Sequence, residues 1–339
     1  TMTRPVAQDR IKNLQDDVMR RGGSFAPDVN PFLRDAALWR ASRAGRSRVQ
    51  TRAAFLHELV QLAPIEIGPD WRLAGEHLLA DPGTQYGFLS GREADEAAAC
   101  LADLGLTGVE PDEVWATVRA WVDRSGTQSS PMVTVGDSPA DLDRARGTWH
   151  AESSSVVYWA SGWIENHSVR DYAKVLRLGF GGIRRQIEEQ LAGTDLADPG
   201  LPRKENFWRA GLHVCDAGMA LGRRYAERAA ALAQDASDPG ERARLEGIAE
   251  RCARVPAEGA RTFAEAVQSL WLAHILTCGE VGINANSIGR LDQILIPWYE
   301  ADRAAGRLTR AEAMGLMQEL ACKLYLEYDV QAITLGGLD

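Results

Sequence analysis

Six histidines and five cysteines carry the groups best suited to chemistry in this 339-residue chain. His167 is the most suggestive of them. It closes a Gly-Trp-Ile-Glu-Asn-His loop directly before Ser168-x-x-Asp171, an S-x-x-D helix start. The positive end of a helix disfavours imidazolium, so a neutral ring able to hydrogen-bond a hydroxyl is expected there. A loop histidine that satisfies backbone carbonyls is the other reading. His274 shares an apolar stripe with Val267, Leu270 and Trp271, and reads as a core or interface histidine. Cys215, Cys252 and Cys322 lie on or beside helix stripes and read as inert packing thiols. Cys278-Gly-Glu280 stands at a helix end.

The familiar site signatures fail. Gly179-Phe-Gly181-Gly182-Ile-Arg184 puts Arg where a dinucleotide fingerprint needs its third glycine, and its context is mid-helix. The sequence contains no P-loop, no G-x-S-x-G and no H-E-x-x-H, and His150-x-Glu152 is not followed by P-C-x-x-C. No histidine pair has i, i+4 metal-ligand spacing, so no metal is expected. Asp16, Asp17, Glu188 and Glu189 read as helix-face charges, and the irregularly spaced tryptophans as core.

Composition narrows the class. The net charge of −9 and the absence of a basic run argue against a nucleic-acid surface, and no stretch is apolar enough to span a membrane. An odd cysteine count without C-x-x-C suggests reduced thiols in a cytoplasm. With 45% hydrophobic and 25% charged residues the chain is globular, sized for one large domain or two ordinary ones.

The elements that must position these residues are mainly helical. Thr51 is placed to cap a helix bearing Phe55, Leu56, Leu59, Val60 and Ala63, stopped by Pro64. Residues 65–79, with Arg72-Leu-Ala-Gly-Glu76, suggest one short strand. Two short helices are expected from Glu93 to about Leu104 and from Pro111 to Val122. Residues 125–149 read as a long irregular connection, and Val156–Ala160 as a strand. A helix from Ser168 to Leu191 is interrupted by Gly179, Gly181 and Gly182, which suggests a break or a close crossing by another backbone. Long helices follow over 204–234 and from Asp238-Pro239 to Val255-Pro256. Thr262-x-x-Glu265 and Thr309-x-x-Glu312 are capping boxes for two more. Residues 332–338 look like a strand and a turn.

Several ordered motifs then point to one family. Ala257-x-x-Ala260-Arg-Thr-Phe-x-Glu-Ala-x-Gln268, Gly289-Arg-x-Asp-Gln293, Pro297-x-Tyr299-x-x-Asp302 and Gly306-x-Leu-Thr-x-x-Glu-Ala313 resemble the pyruvate formate-lyase family of glycyl radical enzymes, on its dehydratase branch. Pro64-Ile-x-Ile67, Leu73-Ala-Gly-Glu76, His167-x-x-x-Asp171-Tyr-x-Lys-Val-Leu176 and Arg224-Tyr-Ala-x-x-Ala229 extend the match upstream. The resemblance divides the chain into an N-terminal segment, 1–29, and the N-terminal half of a pyruvate formate-lyase-like domain, 30–339. The implied fold is mainly α with a few strands, the helical first part of an α/β barrel that stays incomplete.

In such enzymes a backbone glycyl radical, installed by an iron–sulfur activase using S-adenosylmethionine, takes hydrogen from a cysteine thiol. The resulting thiyl takes hydrogen from the substrate, and a water, carboxylate, amine or acyl group leaves. No bound organic cofactor is implied. The family's thiyl Cys-x-Glu loop and radical glycine follow the Gly-Arg motif at a distance, and the present residues contain neither; Cys278-Gly-Glu280 precedes that motif. The resemblance therefore implies a lyase or dehydratase part for a small polar molecule that does not run radical chemistry alone. The partners it implies are a small-molecule substrate, a second chain supplying the C-terminal half, and a homodimer. The alternative is a standalone homologue that binds a small ligand or a partner, or catalyses a non-radical reaction. The substrate-binding residues it implies are His167, Asn284 and Ser287. Dehydratases of the family often have His-Ser where Asn284 and Ala285 stand, so the substrate is expected to differ from an ordinary diol; a plain polar loop is the other reading. Arg290, Asp292 and Gln293 read as a buried ion pair holding the loop.

Overall fold

In a computed structural model, residues 4–21, 30–76, 78, 94–124, 168–281, 286–325 and 332–336 are described. The expected irregular connection over 125–149 and the strand at Val156–Ala160 lie outside them.

Helices dominate because apolar residues recur at helical spacing between clear start and stop signals. They are α1 (Arg4–Arg21), α2 (Leu33–Ser42), α3 (Arg48–Leu62), α4 (Ala94–Asp103) and α5 (Pro111–Arg124), then α6 (Tyr172–Ala192), α7 (Leu201–Asp235), α8 (Pro239–Arg254), α9 (Phe263–Val281), α10 (Leu291–Ala304) and α11 (Arg310–Tyr325). Two expected starts move. Ser47 rather than Thr51 caps α3, its hydroxyl accepting from the Gln50 amide, because Ser47 is extended while Thr51 is already helical and buried. Asp171 rather than Ser168 caps α6, accepting from the Lys174 amide. The capping box at α11 is reciprocal: the Glu312 amide donates to Thr309 Oγ1 and the Thr309 amide to the Glu312 carboxylate. Helices α1, α2 and α10 carry no strong start signal, and α10 has Pro297 in its interior.

Helix α9 is the centre. Ala266, Val267, Leu270, Trp271, Leu272, Ala273, Ile275 and Leu276 are all buried, as are the polar Gln268, Ser269 and His274, so the helix is buried all round rather than along one stripe. It packs against α3, α6, α7, α8, α10 and α11. A separate small cluster of Ile11, Leu14, Val18, Trp71 and Cys322 seats α1 on α11.

The glycines of α6 do what their density suggested. Gly179 has φ +64° and breaks the helix, and a Cβ there would sit 2.4 Å from the Ala257 carbonyl oxygen. The segment 256–260 crosses at this break. The Phe180 and Gly181 amides donate to the Pro256 and Ala257 carbonyls, and the Ala260 amide donates to the Leu176 carbonyl, all at 2.8 Å.

The expected strand near Arg72 is instead irregular chain, bent at Arg72 and Leu73, that pairs with side chains. Glu319 accepts from the Arg72 and Leu73 amides. The Gln268 side chain bonds both the amide and the carbonyl of Ala74. Trp271 Nε1 and Lys323 Nζ donate to the Gly75 carbonyl, at 3.0 and 2.8 Å, and the Glu76 amide donates to Tyr225. Arg244 and Arg251 cover the carbonyls of Trp71 and Arg72. Lys323 is 1% exposed, pairs with Glu76 at 2.7 Å and lies 4.1 Å from the Trp71 ring centroid.

Strands are few among the described residues: β1 (Ser168–Val169), β2 (Asn286–Ser287), β3 (Gly289–Arg290) and β4 (Ile333–Thr334). β1 pairs with β2 and β3 with β4, both in parallel. Parallel neighbours require long crossovers; α6–α9 supply the first and α10–α11 the second. The strand expected within 332–338 is therefore present as β4.

Two predictions follow from this packing. Gly179→Ala should cost at least ~3 kcal/mol in denaturant unfolding, because a Cβ meets fixed backbone. Gly306→Ala, with φ +69° but no atom within 4 Å of the added Cβ, should cost about 1–2 kcal/mol of conformational strain alone. Equal costs would remove the crossing as the cause. Lys323→Met should lose about 3 kcal/mol by stranding the Glu76 carboxylate, and adding Glu76→Gln should recover part of that loss.

Candidate functional site

The strand layer is where the polar residues of α6, α9 and the β2–β3 segment converge. β1 leads into α6 through Arg170 and Asp171, and its register pairs Ser168 with Asn286 and Val169 with Ser287. His167 and Asn284 lie outside the described residues. They are attached to β1 and β2 by one and two peptide units respectively. Ser287 is half-buried, and its hydroxyl accepts from the Ala332 amide at 3.1 Å, which ties β2 to the chain entering β4. The Gly289 amide donates to the Ala332 carbonyl from the other side.

The Gly-Arg motif is built differently from the buried ion pair expected of it. Arg290 is exposed, and Asp292 accepts main-chain amides: Gly336 and Gln293, each at 2.8 Å. A carboxylate at the first turn of α10 suits the positive end of that helix and two unpaired N–H groups better than a guanidinium does. The Gly336 amide first and the Gln293 amide second hold the Asp292 carboxyl below the usual carboxylate range, with the Arg290 charge a smaller contribution.

Behind β2 lies a buried polar chain that spacing alone did not single out. The Tyr172 hydroxyl is 2.8 Å from His274 Nδ1, His274 Nε2 is 3.7 Å from Cys278 Sγ, and Asn286 Nδ2 donates to Cys278 Sγ at 3.9 Å. All four residues are at most 2% exposed. His274 and Cys278 face each other because they stand at i and i+4 on α9. That spacing was the available signal; their partners Tyr172 and Asn286 come from remote segments. The core reading of His274 stands.

The remaining thiols are quiet. Burial pushes Cys215 and Cys252 up to about 12, which removes the thiolate needed for nucleophilic work. Cys215 lies on the wall of a cavity of about 940 Å³ between α3, α6, α7 and α9, whose lining is mostly apolar, including Leu56, Phe180, Ile183, Trp208 and Leu276. Among the described residues no cluster of three His, Cys, Asp or Glu side chains could hold a metal ion, and no helix is long and apolar enough to cross a membrane.

Parallel strands linked by helical crossovers can now be set beside known proteins. A model of the family described as pyruvate formate lyase-like matches residues 150–334, more than half of the chain. The chain belongs to the pyruvate formate lyase-like family. Like this chain, relatives in that family of glycyl radical enzymes include the isethionate sulfite-lyase of Nitratidesulfovibrio vulgaris, 40% identical over 171 residues, which are 50% of this chain and 21% of that one. Another is the trans-4-hydroxy-L-proline dehydratase of Clostridioides difficile, 37% identical over 151 residues, or 44% of this chain and 19% of that one. A solved glycyl radical enzyme from Archaeoglobus fulgidus superposes with a TM-score of 0.69 at 23% identity, covering 97% of this chain and 44% of its own. The fold is thus that of a pyruvate formate lyase-like protein, and the chain spans less than half the length of these relatives.

Several family motifs prove to be structural. Gln268 and Glu76 hold the irregular segment, Ala257–Ala260 is the crossing at Gly179, and Asp302 accepts from the Phe263 amide at 2.7 Å while pairing with Arg307.

The Asp292 contact predicts a pH response. Its carboxyl is depressed in the folded state, so its stabilising effect is complete above the ordinary Asp value of 3.8 and is lost as pH falls through the lower folded value. The amide shift of Gly336, followed by NMR, should titrate with a midpoint below that ordinary value. Asp292→Asn should abolish the titration; an unchanged midpoint in that variant would assign it to another group.

Proposed function

We propose that residues 30–339 form the N-terminal half of a glycyl radical lyase or dehydratase acting on a small polar molecule. The thiyl-cysteine loop and the radical glycine come from further polypeptide, on the same chain or a second one. On this reading the residues described here are one part of an α/β barrel and are not competent for radical catalysis without the rest. The observation that carries it is the parallel β1–β2 register. It sets side by side the two strands to which His167 and Asn284 are joined.

On this reading His167 bonds a substrate hydroxyl, and Asn284 and Ser287 supply further polar contacts to the substrate. Asn284 and Ala285 replace a His-Ser pair common in dehydratases, which removes a titratable group and a hydroxyl and disfavours an ordinary diol. The radical, installed by an S-adenosylmethionine iron–sulfur activase, supplies hydrogen abstraction. The residues of this part bind and orient the substrate and exclude water. Helical packing around α9, buried on all sides, suits such a dry interior. Relatives named as a sulfite-lyase and a hydroxyproline dehydratase support elimination of a leaving group from a small polar substrate.

The test is anaerobic reconstitution. The protein should co-elute with a polypeptide carrying the Cys-x-Glu loop and radical glycine. After activation the assembly should show an organic radical by electron paramagnetic resonance and turn over a panel of hydroxylated acids and sulfonates. His167→Ala should lower kcat/KM at least about tenfold through loss of one substrate hydrogen bond. Radical turnover by residues 1–339 alone would overturn the proposal, as would the absence of any radical when they are joined, covalently or as a complex, to the Cys-x-Glu loop and radical glycine.

A further inference from the structure

The buried chain of Tyr172, His274, Cys278 and Asn286 has no necessary place in the reading above. Burying four polar side chains is costly unless each is bonded; apolar residues of similar volume would pack without that penalty. What the chain adds is a side-chain connection between α6, α9 and β2. Among the described residues β1 and β2 pair over two residues each, where a short ladder gains from added side-chain bridges. The main-chain pairing runs from Ser168 to Asn286, and the side-chain path returns from Asn286 through Cys278 and His274 to Tyr172, four residues after Ser168. The circuit is closed. Its middle member bridges α6 and α9: His274 is 0% exposed, with the Trp271 ring at 5.9 Å and the Tyr172 ring at 6.0 Å between centroids. Both rings are tilted to the imidazole, by 36° and 57°, and its two nitrogens meet Tyr172 and Cys278.

We propose that His274 is a positioning residue that sets β2 against β1 by bridging the Tyr172 hydroxyl to the Cys278–Asn286 pair. It thereby fixes the spacing of β1 and β2. The inference rests on the proposed site for its consequence, but its geometry is independent of turnover. Cys278 acts here as a bridging thiol and takes no part in bond making.

Amide hydrogen exchange on the full chain tests it. His274→Phe keeps an aromatic ring of similar size and removes both contacts. It should raise exchange at Val169 and Ser287 about tenfold while the middle of α9 stays as protected as in the parent. Cys278→Ala should do the same, and Cys278→Ser, which retains a donor and an acceptor, should restore slow exchange. Tyr172→Phe, the mildest change, should alter the ¹⁵N tautomer signature of the His274 ring, and it serves where His274→Phe does not fold. Two results would overturn the proposal: strand exchange unchanged in both His274→Phe and Cys278→Ala, or a loss of protection spread evenly over α6, α9 and the strands. In the reconstituted assembly His274→Phe should raise KM more than it lowers kcat. If the assembly proves inactive for every substrate, the exchange result still stands alone.

Discussion

The buried irregular segment from Trp71 to Glu76 is the constraint around which the helices are arranged. Buried chain outside a helix or ladder leaves amides and carbonyls that must find partners. Here Glu319, Gln268, Trp271, Lys323, Tyr225, Arg244 and Arg251 supply them. Those side chains come from α7, α8, α9 and α11, so four helices are referenced to one stretch of backbone. Gly75 shows how close the fit is: it has φ +122°, and a Cβ would lie 2.6 Å from the Trp271 indole. Arg10 of α1 joins the same arrangement through Glu319, at 2.7 Å.

Much of the helical architecture was legible because periodicity and capping are local. Thr309 and Glu312 marked a start, and Gly179 with its neighbours marked a crossing. What escaped was long-range. Ser168 was read as the helix cap although it belongs to β1, since its strand partner is Asn286, more than a hundred residues away. The partner of Arg72 is likewise remote, and no pattern in 65–79 announces that side chains replace a ladder. Arg290 and Asp292 looked like an ion pair by type, whereas the orphan amides at the start of α10 and at Gly336 claimed the carboxylate.

The candidate site was legible in part. Motif order identified the family and singled out Ser287, whose hydroxyl holds the Ala332 amide. The Tyr172–His274–Cys278–Asn286 chain was visible only as an i, i+4 pair on a stripe that otherwise signalled core. A polar pair on such a face has no readable purpose until α6 and β2 bring its partners.

The break at Gly179 has a mechanical consequence. Helices transmit bending along their hydrogen-bond ladder, and here that ladder is interrupted seven residues after Tyr172 while the Leu176 carbonyl and the Phe180 amide are engaged by the crossing chain. The outer length of α6, from Phe180 to Ala192, is therefore spliced to the inner turns through the crossing chain, so the direction in which Tyr172 leaves β1 is referenced to residues 256–260 as much as to the rest of its own helix.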